Sequence, residues 1–164
     1  MREYVSTMPD SRPHWRWARF SELSGSEVYE ILSLRSRVFV VEQDCVFQDA
    51  DGRDPHAWHL LGWGGEGESR KLIAYARVFE AGVRYAEASI GRIVSAPEVR
   101  GTGIGRMIVE ESMRFCTERW PSQPVRIGAQ RRLERFYAGF GFVADGEPYI
   151  EDDIEHIDML LTAT

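Results

Sequence analysis

Short segments in which apolar residues alternate with polar ones, or run together, recur along the chain and favour β-strands. They cover residues 15–20, 58–63, 72–79, 89–94, 125–129, 142–144 and 156–161. The second and third flank a segment rich in glycine and charge, residues 64–69, which is typical of a hairpin. The fourth follows them closely along the chain, so these three strands are expected to form a meander.

Helical spacing of apolar residues appears in three other places. The first helix begins near Ser24 or Ser26, with Glu27 in its first turn, and runs toward Val40. The second covers residues 104–119, where an apolar stripe ends before Trp120 and a proline. The third covers residues 133–140 and is closed by Gly141. This order predicts an α/β (α+β) fold around one mixed sheet, as a single domain over residues 14–164 after a flexible tail at residues 1–13.

Composition narrows the class of protein. The net charge of -6 argues against general binding to nucleic acid or to an anionic membrane. Cys45 and Cys116 have no metal-ligand spacing and form no disulfide framework, so we expect a reduced, cytoplasmic protein. The sequence shows no signal peptide and no apolar run near the ~20 residues of a membrane span.

The turn before the second helix carries the strongest chemical motif, Arg100-Gly101-Thr102-Gly103-Ile104-Gly105, followed by Arg106. The free amides and the dipole of a helix N-terminus bind anions, and glycines allow phosphates to approach the backbone. The motif has neither the G-x-G-x-x-G spacing of a dinucleotide fold nor the Gly-Lys-Ser/Thr of a Walker loop. A plain connection would not need three alternating glycines flanked by arginines, so we interpret the turn as a phosphate site.

Arg100-x-x-Gly103-x-Gly105 resembles the Q/R-x-x-G-x-G/A signature of the GNAT superfamily of acyl-CoA N-acyltransferases. Phe136-Tyr137-x-x-x-Gly141-Phe142 resembles that family's F-Y-x-x-x-G-F segment. A narrower resemblance, to ElaA-type proteins, covers residues 34–43, 48–52, 59–63, 91–94, 128–130 and 149–159. The resemblance implies a mostly antiparallel sheet flanked by helices, and acetyl-CoA as the acyl donor. The cofactor-binding residues that it implies are Ile93, Val94 and Ser95 for pantetheine, Arg100, Gly101, Thr102, Gly103, Ile104, Gly105 and Arg106 for pyrophosphate, and Gln130 and Tyr137.

The resemblance also implies direct attack of an amine on the thioester, with Tyr137 as the general acid that protonates the leaving sulfur. The base is left open, because strands four and five offer only Arg92 and Arg126 where relatives carry a glutamate. The candidates for this role are His59, Glu42, Asp51 and His156, with His59 or Glu42 put first, and the same four residues are candidate acceptor contacts; a water relay is an equal alternative. His56 and His59 have no third ligand at suitable spacing, so no metal is expected.

Two acidic segments, residues 44–54 and 147–155, would favour a cationic acceptor if they border the site, and otherwise form a solvated surface. The acceptor itself stays open between a small amine, a peptide N-terminus and a protein lysine, and a homodimer is compatible with the sequence. Two other functions remain as alternatives. One is a non-catalytic acyl-CoA sensor. The other is an acylhomoserine-lactone-synthase-like transferase, which residues 35–39 resemble but which would need a basic face for an acyl carrier protein.

Overall fold

The computed structural model describes residues 12–163, in which one sheet of eight strands spans the molecule. The strand order is β1-β2-β3-β4-β5-β8-β6, with β7 paired to β8. All pairs are antiparallel except β4 with β5. The mostly antiparallel mixed sheet is therefore confirmed. The strands are β1 (His14–Arg19), β2 (Trp58–Gly64), β3 (Lys71–Phe79), β4 (Ala88–Ser95), β5 (Val125–Gln130), β6 (Val143–Ala144), β7 (Tyr149–Glu151) and β8 (Ile154–Leu161).

Helices cover the two faces of this sheet. Helix α1 (Gly25–Arg35) begins at Ser24, whose side chain accepts from the amide of Glu27 in a capping box, and continues as a π-helical segment, Ser36–Glu42. Helix α2 (Ile104–Arg119) has the predicted bounds, and α3 (Glu134–Ala138) is a single short turn. Short 3-10 turns occur at Phe20–Glu22, Asp54–His56, Gly67–Ser69, Pro97–Val99 and Arg131–Leu133.

Each face has its own apolar core. On one face α2 contributes Ile108 and Val109, which pack with Ile90 of β4 and Ile127 of β5. On the other face α1 contributes apolar side chains that pack with Tyr75 of β3 and with buried residues of β2 and β4. Since β2, β3 and β4 are covered on both sides, their side chains are buried almost without alternation.

The C-terminal acidic segment differs from the prediction. Residues 147–155 were expected to be a surface loop, but they include β7, which pairs antiparallel with β8. The tight turn between these strands is made by Asp152 and Asp153, with φ of 50° and 61°. Aspartate tolerates this left-handed conformation, so two acids can close a hairpin that usually contains glycine. Of the predicted tail, residues 1–11 lie outside the described residues, and β1 begins at His14.

The feature that creates a site is the divergence of β4 from β5. These strands pair only through residues 88–90 and 125–127, and beyond that point β4 pairs only with β3. A bulge interrupts β4 just after the divergence, where Arg92 and Ile93 lie opposite the single residue Ala76. Arg92 has φ of 50° there. The two strands therefore diverge. The C-terminal half of β4 is left with one free edge, on the side of β5.

Candidate active site

A cleft of about 780 Å³ opens at this divergence. Most of the predicted site residues line it, namely Ile93, Val94, Ser95, Arg100, Gly105, Gln130, Tyr137, Glu42, Asp51 and His156. Gly101, Thr102, Gly103, Ile104 and Arg106 belong to the same turn and helix start but do not line the cleft itself. His59 is also outside the lining.

The glycine-rich turn has the geometry of an anion site. Gly101 and Gly103 have φ of 80° and 84°, and Gly103 caps α2. None of the amides of residues 101–106 donates to a backbone carbonyl within residues 12–163. A Cβ added at Gly101, Gly103 or Gly105 would meet no atom within 4 Å. The turn therefore presents unpaired donors to open space at the positive end of a 16-residue helix, an arrangement that fits a diphosphate.

The arginines that flank the turn are held by acidic partners. Arg100 binds both oxygens of Glu42, with Nη1–Oε1 and Nη2–Oε2 distances of 2.5 and 2.9 Å. Arg106 pairs with Glu110 one helical turn later, and its guanidinium lies 4.8 Å from the ring centre of Phe140. The hydrogen bond from Arg100 lowers the pKa of Glu42, which makes this carboxylate a weaker base than a free glutamate.

Tyr137 is positioned by α3 against the core on the α2 face and is only 6% exposed. Its hydroxyl makes no hydrogen bond to any residue that the structure describes, and it is not among the fully enclosed polar atoms, so it opens to the cleft. Burial raises the pKa of Tyr137 to about 12, and the nearby Arg132 opposes that rise. The phenol is therefore protonated at neutral pH and able to donate.

His59 does not have the position that we expected of a base. It is 1% exposed; its Nδ1 lies 2.7 Å from the hydroxyl of Tyr75, and its Nε2 lies 2.9 Å from the carbonyl of Asp54. Burial lowers its pKa. Both ring nitrogens are thus engaged inside the fold beneath α1, so His59 supports the core and contacts neither an acceptor nor a thioester in the cleft.

The acidic loop before β2 is also different from the solvated surface or acceptor-attracting patch that its composition suggested. Three of its four carboxylates are paired with arginines from α1, β3 and β4. We call this set the arginine–aspartate network: Arg35, Arg77 and Arg92 with Asp49, Asp51 and Asp54. Asp49 lies between Arg35 and Arg92, with N–O distances of 2.8 Å to each. Arg35 and Arg77 are fully buried. The loop is therefore bound to the sheet, and Arg92 anchors it next to the β4 bulge.

His156 of β8 lines the cleft. Its Nδ1 lies 2.7 Å from the carbonyl oxygen of Ile154, and its Nε2 lies 4.0 Å from a carboxylate oxygen of Glu151. The ring stacks on Tyr149, with centroids 5.8 Å apart and planes at 19°. The imidazole side chain is 13% exposed. Among the predicted acceptor contacts, Glu42, Asp51 and His156 line the cleft. The carboxylate of Glu42 is already bound by Arg100, and that of Asp51 by Arg77.

Several cleft residues were missed from the sequence. Among them are Gln43, Phe47, Tyr85, Arg132 and Tyr149. Gln43 and Tyr149 lie within the ElaA-type segments 34–43 and 149–159, so the motifs themselves could have indicated them. The other three lie outside those segments, and only the folded chain brings them to the cleft. Within residues 12–163 no group of three or more histidine, cysteine or acidic residues could hold a metal ion. No helix in that part of the chain is long and apolar enough to cross a membrane.

Comparison with known proteins shows which family the chain belongs to. The family model of the acetyltransferase (GNAT) domain matches residues 66–163, a range that includes the glycine-rich turn. A UPF0039 protein of Synechocystis is 43% identical over 147 residues, which cover 90% of this chain and 94% of that protein. Protein ElaA of Escherichia coli is 41% identical over 147 residues, covering 88% and 94%.

Solved structures give the same result. An acyl-CoA N-acyltransferase from Pseudomonas aeruginosa superposes with a TM-score of 0.84 at 37% identity, over 90% of this chain and 98% of that one. The crystal structure of Escherichia coli ElaA superposes with a TM-score of 0.82 at 39% identity, over the same shares. The chain therefore belongs to the GNAT acyltransferase family, and within that family it is of the ElaA type.

Proposed function

We propose that this protein transfers an acetyl group from acetyl-CoA to an amine acceptor by direct attack on the thioester. The observation that supports this most is the free edge of β4 beside the unpaired amides of the glycine-rich turn. A strand edge binds a peptide-like arm and a helix start binds a diphosphate, and coenzyme A contains both groups in sequence.

The donor side of the reaction follows from that placement. The amides of residues 101–106, with Arg100 and Arg106, hold the pyrophosphate, and the free edge at Ile93, Val94 and Ser95 pairs with pantetheine. Gln130, across the cleft at the end of β5, contacts the same arm. The bulge at Arg92 and Ile93 places two residues of β4 opposite one of β3, and a backbone amide left unpaired there would be a donor for the developing oxyanion.

Tyr137 protonates the sulfur as it leaves. Coenzyme A supplies the thioester; the protein supplies a phenol that stays protonated, because burial raises its pKa to about 12. A general acid of this kind accelerates a reaction by roughly 10²–10⁴-fold. Arg100 binds the carboxylate of Glu42 through both of its Nη atoms. We therefore assign Glu42 to holding the turn in place and not to the role of base.

The test is release of coenzyme A thiol from acetyl-CoA with three sets of acceptors: small alkylamines, peptides with a free N-terminus, and peptides with an internal lysine. Wild-type protein should release thiol with at least one set. Tyr137→Phe should lower kcat about 10²-fold with unchanged acetyl-CoA binding, whereas the matched control Tyr29→Phe, at a 77% exposed position, should have no effect.

The same assay separates the alternatives. Tight acetyl-CoA binding without turnover on any acceptor, and no effect of Tyr137→Phe on binding, would favour a sensor. Turnover with an acylated carrier protein but not with acetyl-CoA would favour the acylhomoserine-lactone-synthase-like transferase.

A further inference from the structure

His156 is a cleft histidine to which the proposed donor chemistry gives no role. We propose that His156 is the general base that removes the proton from the attacking amine, an assignment that rests on the function proposed above. Three observations support this role: the hydrogen bond of the ring, its place on the sheet and the groups around it.

The hydrogen bond at Nδ1 decides which ring nitrogen is free. A backbone carbonyl can only accept, so Nδ1, at 2.7 Å from the oxygen of Ile154, carries the hydrogen and donates it. In the neutral ring the lone pair is then on Nε2. This nitrogen lies 4.0 Å from a carboxylate oxygen of Glu151. By contrast, both nitrogens of His59 are occupied.

No residue that the structure describes forms a hydrogen bond with Nε2, and His156 lines the cleft. Tyr149 and Glu151 of β7 face the imidazole, and the hydroxyl of Tyr149 donates to Asp158 at 2.7 Å, so it does not compete for Nε2. Gln130 of β5 lies opposite His156 in the register, and Asp152 lines the same cleft. On the strand of His156 itself, Glu155 pairs with Arg131 at 3.4 Å.

The sheet places the proposed acid and base on opposite faces. Ile157 and Met159 of β8 pack in the same core as Tyr137, on the α2 face. Neighbouring side chains along a strand point to opposite faces, so His156 belongs to the other face. The divergence of β4 and β5 joins the two faces through one opening, which both Tyr137 and His156 line. An amine can therefore approach from the His156 side while the sulfur leaves toward Tyr137.

In this reaction the amine nitrogen forms a bond to the acyl carbon, and the carbon–sulfur bond breaks. Before attack, an alkylammonium gives one proton to Nε2 of His156, which leaves a neutral amine. After attack, the nitrogen of the tetrahedral intermediate loses its second proton to solvent, and the phenolic proton of Tyr137 passes to the sulfur. Solvent then reprotonates the tyrosine and takes the proton from the imidazolium. The products are the amide and free coenzyme A thiol.

The experiment compares His156→Gln with wild type on two acceptors, an alkylamine that is protonated at neutral pH and an aniline-type amine that is not. With the alkylamine, kcat/KM should fall by roughly 10²–10³-fold. With the aniline the rate should change little, and added imidazole should restore part of the alkylamine activity. His56→Gln, an exposed histidine outside the cleft, is the control, and acetyl-CoA affinity should be unchanged in both variants.

Other outcomes overturn the assignment in distinguishable ways. Full alkylamine activity in His156→Gln, or equal loss on both amines without rescue by imidazole, would exclude His156 as the base while leaving the transferase intact. A wild-type protein that releases no thiol with any amine would exclude the proposed function, and the base with it. If His156→Gln no longer binds acetyl-CoA, His156→Asn takes its place in the same measurements, with the same criteria.

Discussion

Asp49 offers the sharpest test of the arginine–aspartate network. Its carboxylate is buried between Arg35 and Arg92. Oδ2 lies 2.8 Å from Nε of Arg35, and Oδ1 lies 2.8 Å from Nε of Arg92. Asp49→Asn keeps the shape of the side chain but removes its charge. Losing one partner of a buried ion pair costs about 3–5 kcal/mol, because the remaining charge stays buried without full compensation. Arg35 keeps Asp54 at 2.8 Å and the carbonyl of Asp49 at 3.1 Å, so the lower end, about 3 kcal/mol, is expected.

Urea and thermal unfolding measure this loss. For a chain of this length each kcal/mol lowers Tm by about 2–4 °C, so Asp49→Asn should melt about 6–12 °C below wild type. Asp44→Asn is the matched control: it lies in the same loop, is exposed, and forms no ion pair within the described residues. Its stability should stay within about 0.5 kcal/mol of wild type. A result for Asp49→Asn within that same margin would refute the idea that the buried network holds the loop to the sheet.

Two further predictions follow from the same structure. Burial pushes the pKa values of Asp51 and Asp54 upward, but hydrogen bonds from buried arginines lower both below the usual range. Their stabilisation is therefore fully present above the unfolded pKa of about 3.9 and is lost progressively as pH falls from that value toward the lower folded-state pKa values. Urea unfolding between pH 7 and pH 3 should show this loss below about pH 4, and constant stability down to pH 3 would contradict it. In the turn, Gly103→Ala should lower stability by about 1–2 kcal/mol and weaken acetyl-CoA binding in calorimetry, because φ is 84° at Gly103. Gly105→Ala is the control, because a Cβ at Gly105 would meet open space and the family signature admits alanine there. It should leave both the stability and the acetyl-CoA binding unchanged. Equal effects of the two substitutions would argue against a role for the left-handed turn.

Regular elements could be predicted where their determinants are local. The second helix has the predicted bounds because its apolar stripe, its glycine start and the Trp120-Pro121 end lie within one stretch of chain. The strand β7 could not be recognised in the same way. Its three residues, Tyr149–Glu151, are exposed, and its hairpin closes through Asp152 and Asp153 in left-handed conformations. Only pairing with β8 makes this segment a strand.

The charged interior could not be predicted from the sequence, for a related reason. Arg35 and Arg77 stand in apolar segments and could equally have reached solvent along their aliphatic stems. Their partners are 14 to 26 residues away along the chain. A single sequence does not show which acids a fold brings to which arginines, so the loop before β2 appears as a run of free negative charge. His59 was misjudged for the same reason, because its partner Tyr75 lies on the neighbouring strand.

The two halves of the active site differ in the same respect. The donor half consists of a strand end, a turn and a helix start that are continuous in sequence, so a motif of six residues suffices to locate it. The acceptor half is assembled from the loop before β2, the end of β5 and the β7–β8 hairpin, which meet only in the folded chain. Within it, the tautomer of His156 depends on one backbone carbonyl two residues away, and its face of the sheet depends on the register of β8 with β5. A motif can therefore include His156, as residues 149–159 do here, but only the fold shows which nitrogen is free to accept a proton.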